Sequence, residues 1–266
     1  MLMRTADMQG HTETLDTAIV QLQKEERIGL QRHIDSIDAK RALVSPTRCS
    51  CCDGRIDSIR IHGEAAIRLP GSTVLLPESE WPAQAARFRA LGITTIDSHE
   101  DCGAAGIAYK AQFDKSGSPA QVDAYAEERV RRFCTTQGFH FGKHIPKHAM
   151  TSERHTELVL YYDASPVGMK KFEQSVLREQ LSQGFAMTES ASDNPHGHLL
   201  ALIGIAFGPH GSATEAFARG TLFKVRVAAP TIALLSEKLV ELNEVIKNSK
   251  FSAMVAIEGF VITGWQ

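Results

Sequence analysis

Long apolar runs are missing from this chain. Its longest uncharged apolar stretch, Leu199 to Phe207, falls well short of the roughly 20 residues a membrane-spanning helix needs, so no membrane partner is expected. A surplus of one charge is missing too: 29 Lys and Arg against 31 Asp and Glu leave a net charge of −2. Such a balance gives no global field to draw in nucleic acid or anionic lipid, but suits a small neutral substrate. Met1 to His11 holds Arg4 and Asp7 and no apolar run of the secretory kind, which makes cytoplasmic residence the expectation. Cysteine is scarce and odd in number, five in all, unlike a secreted disulfide framework. No internal repeat, low-complexity tract or clear interdomain linker is visible. What is present, 43% hydrophobic and 23% charged residues over 266 positions, is the composition of a folded protein long enough for a substantial core.

Hydrophobic spacing divides the chain into alternating elements. Leu15, Ile19 and Leu22, then Leu30, Ile34 and Ile37, recur at helical intervals between Thr12 and Lys40, which predicts a helical arm over residues 1–40 ahead of an α/β domain over 41–266. Strands are expected over Ala65 to Leu69, Ile93 to Ser98, Glu157 to Tyr162, Leu199 to Phe207, Leu222 to Ala228 and Ala253 to Ile262. Helices are expected over Trp81 to Ala90, Pro119 to Thr136, from Ser165-Pro166 to Gly184, and from Ile232 through Ile246. Gly138 to Arg154 reads as loop. Strands separated by helices predict an α/β fold with a largely parallel sheet flanked by helices.

Three of the five cysteines crowd into positions 49 to 52, in Cys51-Cys52-Asp53-Gly54-Arg55, and a fourth ends His99-Glu100-Asp101-Cys102. Two thiols and an imidazole brought together by a fold are ligands of the kind Zn²⁺ prefers, and three of them leave one tetrahedral corner open for water. Taken singly, each of Cys51, His99 and Cys102 is more often a core residue. Cys49 and Cys52 are alternative ligands, while Cys134 falls on the apolar face of its helix. Asp53 and Arg55 stand two apart, so in an extended segment their side chains point the same way and can pair. His140, His144 and His148 are evenly spaced, but Gly142 and Pro146 between them favour solvated loop positions. His196 and His198 identify no proton carrier either.

Cys-x-Asp-x-Arg followed by His-x-x-Cys-Gly resembles the β-carbonic anhydrases. Arg55-Ile56-Asp57, Ile67-Arg68 with Gly71, and Leu91-Gly92-Ile93 before the histidine extend the resemblance over roughly residues 42 to 110. Ser98 stands where the family has glycine, and Leu69-Pro70 replace a small polar pair. The resemblance implies a β-carbonic-anhydrase-like fold with an enlarged C-terminal half and a first core strand over Arg41 to Cys51, which Pro46 argues is short, bulged or irregular. Its zinc would be held by Cys51, His99 and Cys102, with Asp53 as the catalytic carboxylate and Arg55 as the residue that holds it. In the family the matching aspartate accepts a hydrogen bond from zinc-bound water or itself binds zinc in a closed state. The implied activity is reversible hydration of carbon dioxide to bicarbonate by zinc-bound hydroxide, in a homodimer or higher homo-oligomer packed through the N-terminal arm. Two alternatives stand beside it: hydrolysis of a related linear molecule such as carbon disulfide or carbonyl sulfide, and a non-catalytic protein stabilised by zinc.

Overall fold

The computed structural model describes residues 47–64, 66–151, 158–165, 184–208 and 211–261. The expected arm over residues 1–40 and the helix expected after Ser165-Pro166 lie outside them. The described elements in chain order are β1 (Arg48–Cys51), α1 (Ser58–His62), β2 (Ala66–Leu69), α2 (Trp81–Ala90), β3 (Thr95–His99), α3 (Gly103–Phe113), α4 (Pro119–Gln137) and β4 (His140–Ile145). They continue with β5 (Val159–Asp163), β6 (Gly184–Thr188), α5 (Pro195–Ala206), α6 (Ala213–Ala218), β7 (Phe223–Ala229), α7 (Ile232–Lys247) and β8 (Val255–Val261). The α/β class expected from the alternation holds, but the strands form two four-stranded sheets instead of one. Every pairing within them is parallel.

The two sheets repeat one topology. The first runs β2-β1-β3-β4 and the second β6-β5-β7-β8, each ordered second, first, third and fourth strand of its half. Register makes the correspondence exact enough to name positions. Cys51 pairs with Leu69 at the end of β2, as Asp163 pairs with Thr188 at the end of β6. Cys49 pairs with Ile96, as Tyr161 pairs with Arg226. Asp163 therefore stands where Cys51 does, and Ala229 where His99 does. No sequence repeat announces this, because a shared strand order constrains only hydrophobic patterning and not residue identity.

One core cluster runs through both halves, from Cys49, Ile67 and Phe88 to Leu160, Leu202 and Phe223. The halves are also joined by backbone. Ala186 N donates to Cys52 O at 2.8 Å and Gly54 N to Gly184 O at 3.0 Å, around an antiparallel bridge between Asp53 and Phe185. The chain leaving β1 is thus pinned against β6.

Local signals explain several element ends. Ser118 and Gln121 form a reciprocal capping box ahead of Pro119, and Gly138 ends α4 in the left-handed conformation. Thr231 caps α7 through Leu234 N. Two expectations are corrected. Leu199 to Phe207 is not a strand but most of α5, which Asn194 caps through Gly197 N with Pro195 in the first turn. A helix apolar on nearly every side has no polar face to reveal its period. Within the expected loop over Gly138 to Arg154, residues 140–145 form β4, an exposed edge strand with the polar composition of a loop.

Candidate metal centre

Parallel strands end together at one edge of a sheet, and side chains there converge from segments distant in sequence. Cys51 is the last residue of β1, His99 the last of β3, and Cys102 directly precedes α3. Their ligand atoms all lie within 4.8 Å of one another and all three residues are buried. Among the described residues this is the group of His, Cys, Asp and Glu close enough to hold a metal ion. The three ligands expected from the motifs are thus brought together. Cys49 and Cys134 are buried in the core outside the group, and Cys52 Sγ stands 4.0 Å from Cys51 Sγ.

The donors fit a metal in detail. His99 Nδ1 donates to Glu100 O at 2.7 Å, which turns Nε2 toward the sulfurs. Nε2 is buried and has no hydrogen-bond partner among the described residues. A ring nitrogen oriented by a bond at its far side is the usual arrangement for a metal-ligating imidazole. Gly71 N donates to Cys51 Sγ at 3.2 Å, which favours the thiolate. Burial opposes ionisation of Cys51, yet hydrogen bonds from the Cys102 and Cys52 thiols and the charge of His99 hold it well below the ordinary thiol value. Burial likewise pushes His99 down, but Cys51, Asp53 and the Glu100 carbonyl raise it to about 9. A metal ion binds thiolate and neutral imidazole, so a cation binding there displaces protons. Hydrogen bonding to Cys51, together with burial, raises Cys102 well above its ordinary value.

Beside the thiols, Arg55 grips Asp53 as their spacing suggested. Arg55 N and Nε donate to Oδ1 at 2.9 and 3.1 Å, and Arg55 Nη2 to Oδ2 at 2.8 Å. Arg55 is 1% exposed. Burial acts against its charge, but Asp53 and then Asp101 raise its pKa above the usual guanidinium value. Asp53 Oδ2 lies 3.9 Å from His99 Nδ1, so the carboxylate stands at the edge of the candidate ligand set.

Asp101, next to the ligand Cys102, is a local hydrogen-bonding residue. Its Oδ2 accepts from Arg55 Nη1 at 3.0 Å and its carbonyl from Arg55 Nη2 at 3.3 Å. Lys147 Nζ approaches the same carboxylate oxygen at 3.3 Å, and Asp101 N donates to Asp123 Oδ1 at 2.7 Å. Asp101 has a φ of 57°, the left-handed region that Asp tolerates better than most residues. The Asp between the histidine and second cysteine was visible in the motif, but its bond to Arg55 is a product of the fold.

Ser98 has a partner as well. Its Oγ and His144 Nδ1 are 2.8 Å apart, so His144 lies on β4 and not in a solvated loop. Burial lowers the His144 pKa, despite the opposing pull of Glu127 and Asp123. His196 pairs with Glu241 at 2.6 Å, and His198 Nδ1 with Ser192 Oγ at 2.6 Å, both in the second half.

No protein-family model, curated protein or solved structure matches this chain. The reading of its site therefore rests on the site's own chemistry. Among the described residues no helix is long and apolar enough to cross a membrane.

Proposed function

We propose that this protein is a zinc lyase that hydrates carbon dioxide reversibly to bicarbonate and a proton, with a site of the β-carbonic anhydrase kind. The observation that carries the reading is the joint placement of Cys51, His99 and Cys102 within 4.8 Å, beside an Asp53 gripped by buried Arg55. A site that only braced the fold would be closed by a fourth protein ligand and would have no use for a clamped carboxylate.

Zinc bound there supplies a Lewis acid that lowers the pKa of water to about 7. The chain's own residues do the rest. Cys51, His99 and Cys102 hold the ion, and the Glu100 carbonyl fixes the imidazole so that Nε2 stays aimed at the sulfurs. Arg55 denies Asp53 other rotamers, so its carboxylate is a fixed acceptor for a proton on the attacking oxygen. Asp101 and Lys147 tie the far side of Arg55 to the rim. The same reading has chains associating through residues 1–40, as a homodimer or larger assembly, and working in the cytoplasm.

Metal analysis and stopped-flow carbon dioxide hydration on one sample test the proposal. The expected result is about one zinc per chain and hydration that rises with pH. Zinc without hydration from neutral to alkaline pH would reject the activity while leaving the metal site standing. A purified chain that neither carries zinc nor takes it up would reject both.

A further inference from the structure

The ligand set leaves one nearby thiol over, that of Cys52. Neighbouring side chains in a strand point to opposite faces, so a strand that ran on through Cys52 would hold its sulfur away from that of Cys51. Instead β1 ends at Cys51 and the chain bends at Cys52, which brings Cys52 Sγ to 4.0 Å from Cys51 Sγ. Backbone bonds hold the bend on both sides: Cys52 N donates to Leu69 O at 3.2 Å, and Ala186 N to Cys52 O at 2.8 Å. Gly71 N, 3.2 Å from Cys51 Sγ, holds the other sulfur. The thiols outside the centre are turned elsewhere, Cys49 toward Ser50 O at 4.0 Å and Cys134 toward His140 O at 3.7 Å. Cys51 and Cys52 are 4% and 2% exposed, so only a small reagent reaches them.

We propose that Cys51 and Cys52 form a redox pair, which hydrogen peroxide converts to a vicinal disulfide that withdraws Cys51 from the metal and releases the ion. The inference rests on the metal-site reading above and adds a way to switch that site off. The Cys51 thiolate attacks one peroxide oxygen; the O–O bond breaks, leaving Cys51 a sulfenic acid and releasing hydroxide. The Cys52 thiol then attacks the sulfenic sulfur, forming the S–S bond and expelling water. The two sulfurs give up two electrons, which reduce the peroxide, and the Cys52 proton leaves in the water. Cys102 is engaged by the ion as a ligand, whereas Cys52 keeps its thiol for the second step. The oxidant is small and uncharged, like the substrate proposed for the site. Reversal is built into the geometry. Adjacent Cα atoms stand about 3.8 Å apart across a trans peptide, closer than the roughly 4.4–6.8 Å that a disulfide ordinarily spans. A strained disulfide is readily reduced, so a thiol reductant restores both sulfurs and the site.

The test treats the zinc-loaded full chain with hydrogen peroxide and follows zinc release with a chromogenic chelator. A tryptic map locates the bond, because Cys51 and Cys52 share the peptide Cys49 to Arg55, while Cys102 lies in Ala90 to Lys110. Wild type is expected to lose its zinc and to yield the first peptide two hydrogens lighter, with fragmentation placing the bond between Cys51 and Cys52. Dithiothreitol should then restore zinc binding. Cys52→Ser should carry as much zinc as wild type before oxidation. After the same peroxide dose and dithiothreitol it should regain less than about a tenth of that zinc, because a sulfenic acid with no resolving thiol proceeds to forms that dithiothreitol does not reduce. Cys134→Ser, in the core away from the pair, should match wild type throughout. If Cys52→Ser fails to fold, Cys52→Ala carries the same expectation. A bond from Cys51 to Cys102, no bond at all, or a Cys52 variant that regains zinc as wild type does overturns the pair and leaves the metal centre standing. A chain that takes up no zinc overturns the metal centre and the release that depends on it.

Discussion

The two halves of this molecule share a strand order and differ in what stands at the strand ends. In the first half the last residues of β1 and β3 are Cys51 and His99, and the chain beyond them adds Asp53, Arg55 and Cys102. In the second, Asp163 and Ala229 hold the equivalent positions, and Asp163 Oδ1 accepts from Ser165 N at 2.9 Å. Two buried arginines, one from each half, are placed differently too. Arg55 bridges Asp53 and Asp101 at the site, whereas Arg226 bonds Tyr161 and Glu258 within its sheet. The same scaffold thus supports a candidate reactive centre in one half and a structural polar network in the other. Chemistry on such a scaffold depends on a handful of residues at strand ends, and the scaffold survives their loss.

The strongest way to break this comparison is to exchange ligands. Cys51→Ser, Cys102→Ser or His99→Ala should each abolish zinc binding and hydration, because each removes one of three protein bonds to the ion. Asp163→Asn, at the matching place in the second half, should leave zinc per folded chain unchanged. Elemental analysis of the folded fraction decides, and zinc lost from Asp163→Asn would refute the assignment of the site to one half.

Next in size are the two arginines. Arg55→Ala leaves Asp53 buried without its main partner and should cost about 3–5 kcal/mol of stability as well as turnover. Arg226→Ala leaves Glu258, whose side chain is 29% exposed, within reach of water. Its cost should be nearer 1–2 kcal/mol, roughly that of an ordinary hydrogen bond, with hydration close to wild type. Chemical denaturation and stopped-flow rates on both variants separate the two effects.

Asp97 gives the first half an acid sensitivity. Burial works against ionisation of its carboxyl, but His62 and Arg48 outweigh it and hold its pKa below the ordinary value. A depressed carboxylate contributes stability that is present above its unfolded pKa of about 3.9 and is lost as pH falls through the lower folded value. Unfolding stability should therefore drop below about pH 4. In Asp97→Asn that drop should be shallower, at a cost near neutrality of about 1.5–3 kcal/mol for a lost charged hydrogen bond. Denaturant midpoints across acid pH measure it, and an unchanged slope in the variant would remove Asp97 from the account.

The smallest expected effect belongs to Asp101, whose side chain is 51% exposed. Asp101→Asn keeps the left-handed backbone and loses one charge on Arg55, a contribution of about 1 kcal/mol or less at such exposure. Hydration should fall less than about tenfold, with KM and zinc content unchanged. A loss of zinc would show that Asp101 supports the ligands and not Arg55.

Much of the centre was legible because ligand chemistry is local. Cys51, His99 and Cys102 stood out only through the joint context of their two motifs, and the two-residue spacing of Asp53 and Arg55 announced their pairing. The helix from Pro119 was legible for a similar reason, through the apolar face its sequence repeats. β4 was not: its polar edge sequence, His140 to Ile145, looks like a loop until Thr95 and Ile96 pair with it. Its Gly142 is explained only by the fold, since a Cβ there would fall 2.3 Å from Asp97 Oδ1. The helix α5 was hidden because apolar residues on nearly every side erase the periodicity that separates helix from strand.

By itself, the sequence determined which side chains were available to bind a metal, the spacing of each motif, and the alternation that makes the chain α/β. Those properties depend on bonded neighbours and on hydrophobic order along the chain. Tertiary structure alone decided that the ends of β1 and β3 meet, that Asp101 bonds Arg55, that the second half repeats the strand order of the first, and that Phe185 stands opposite Asp53. Each of these is a contact between segments far apart in sequence, selected by how two sheets bury one shared core, and no local pattern encodes that choice.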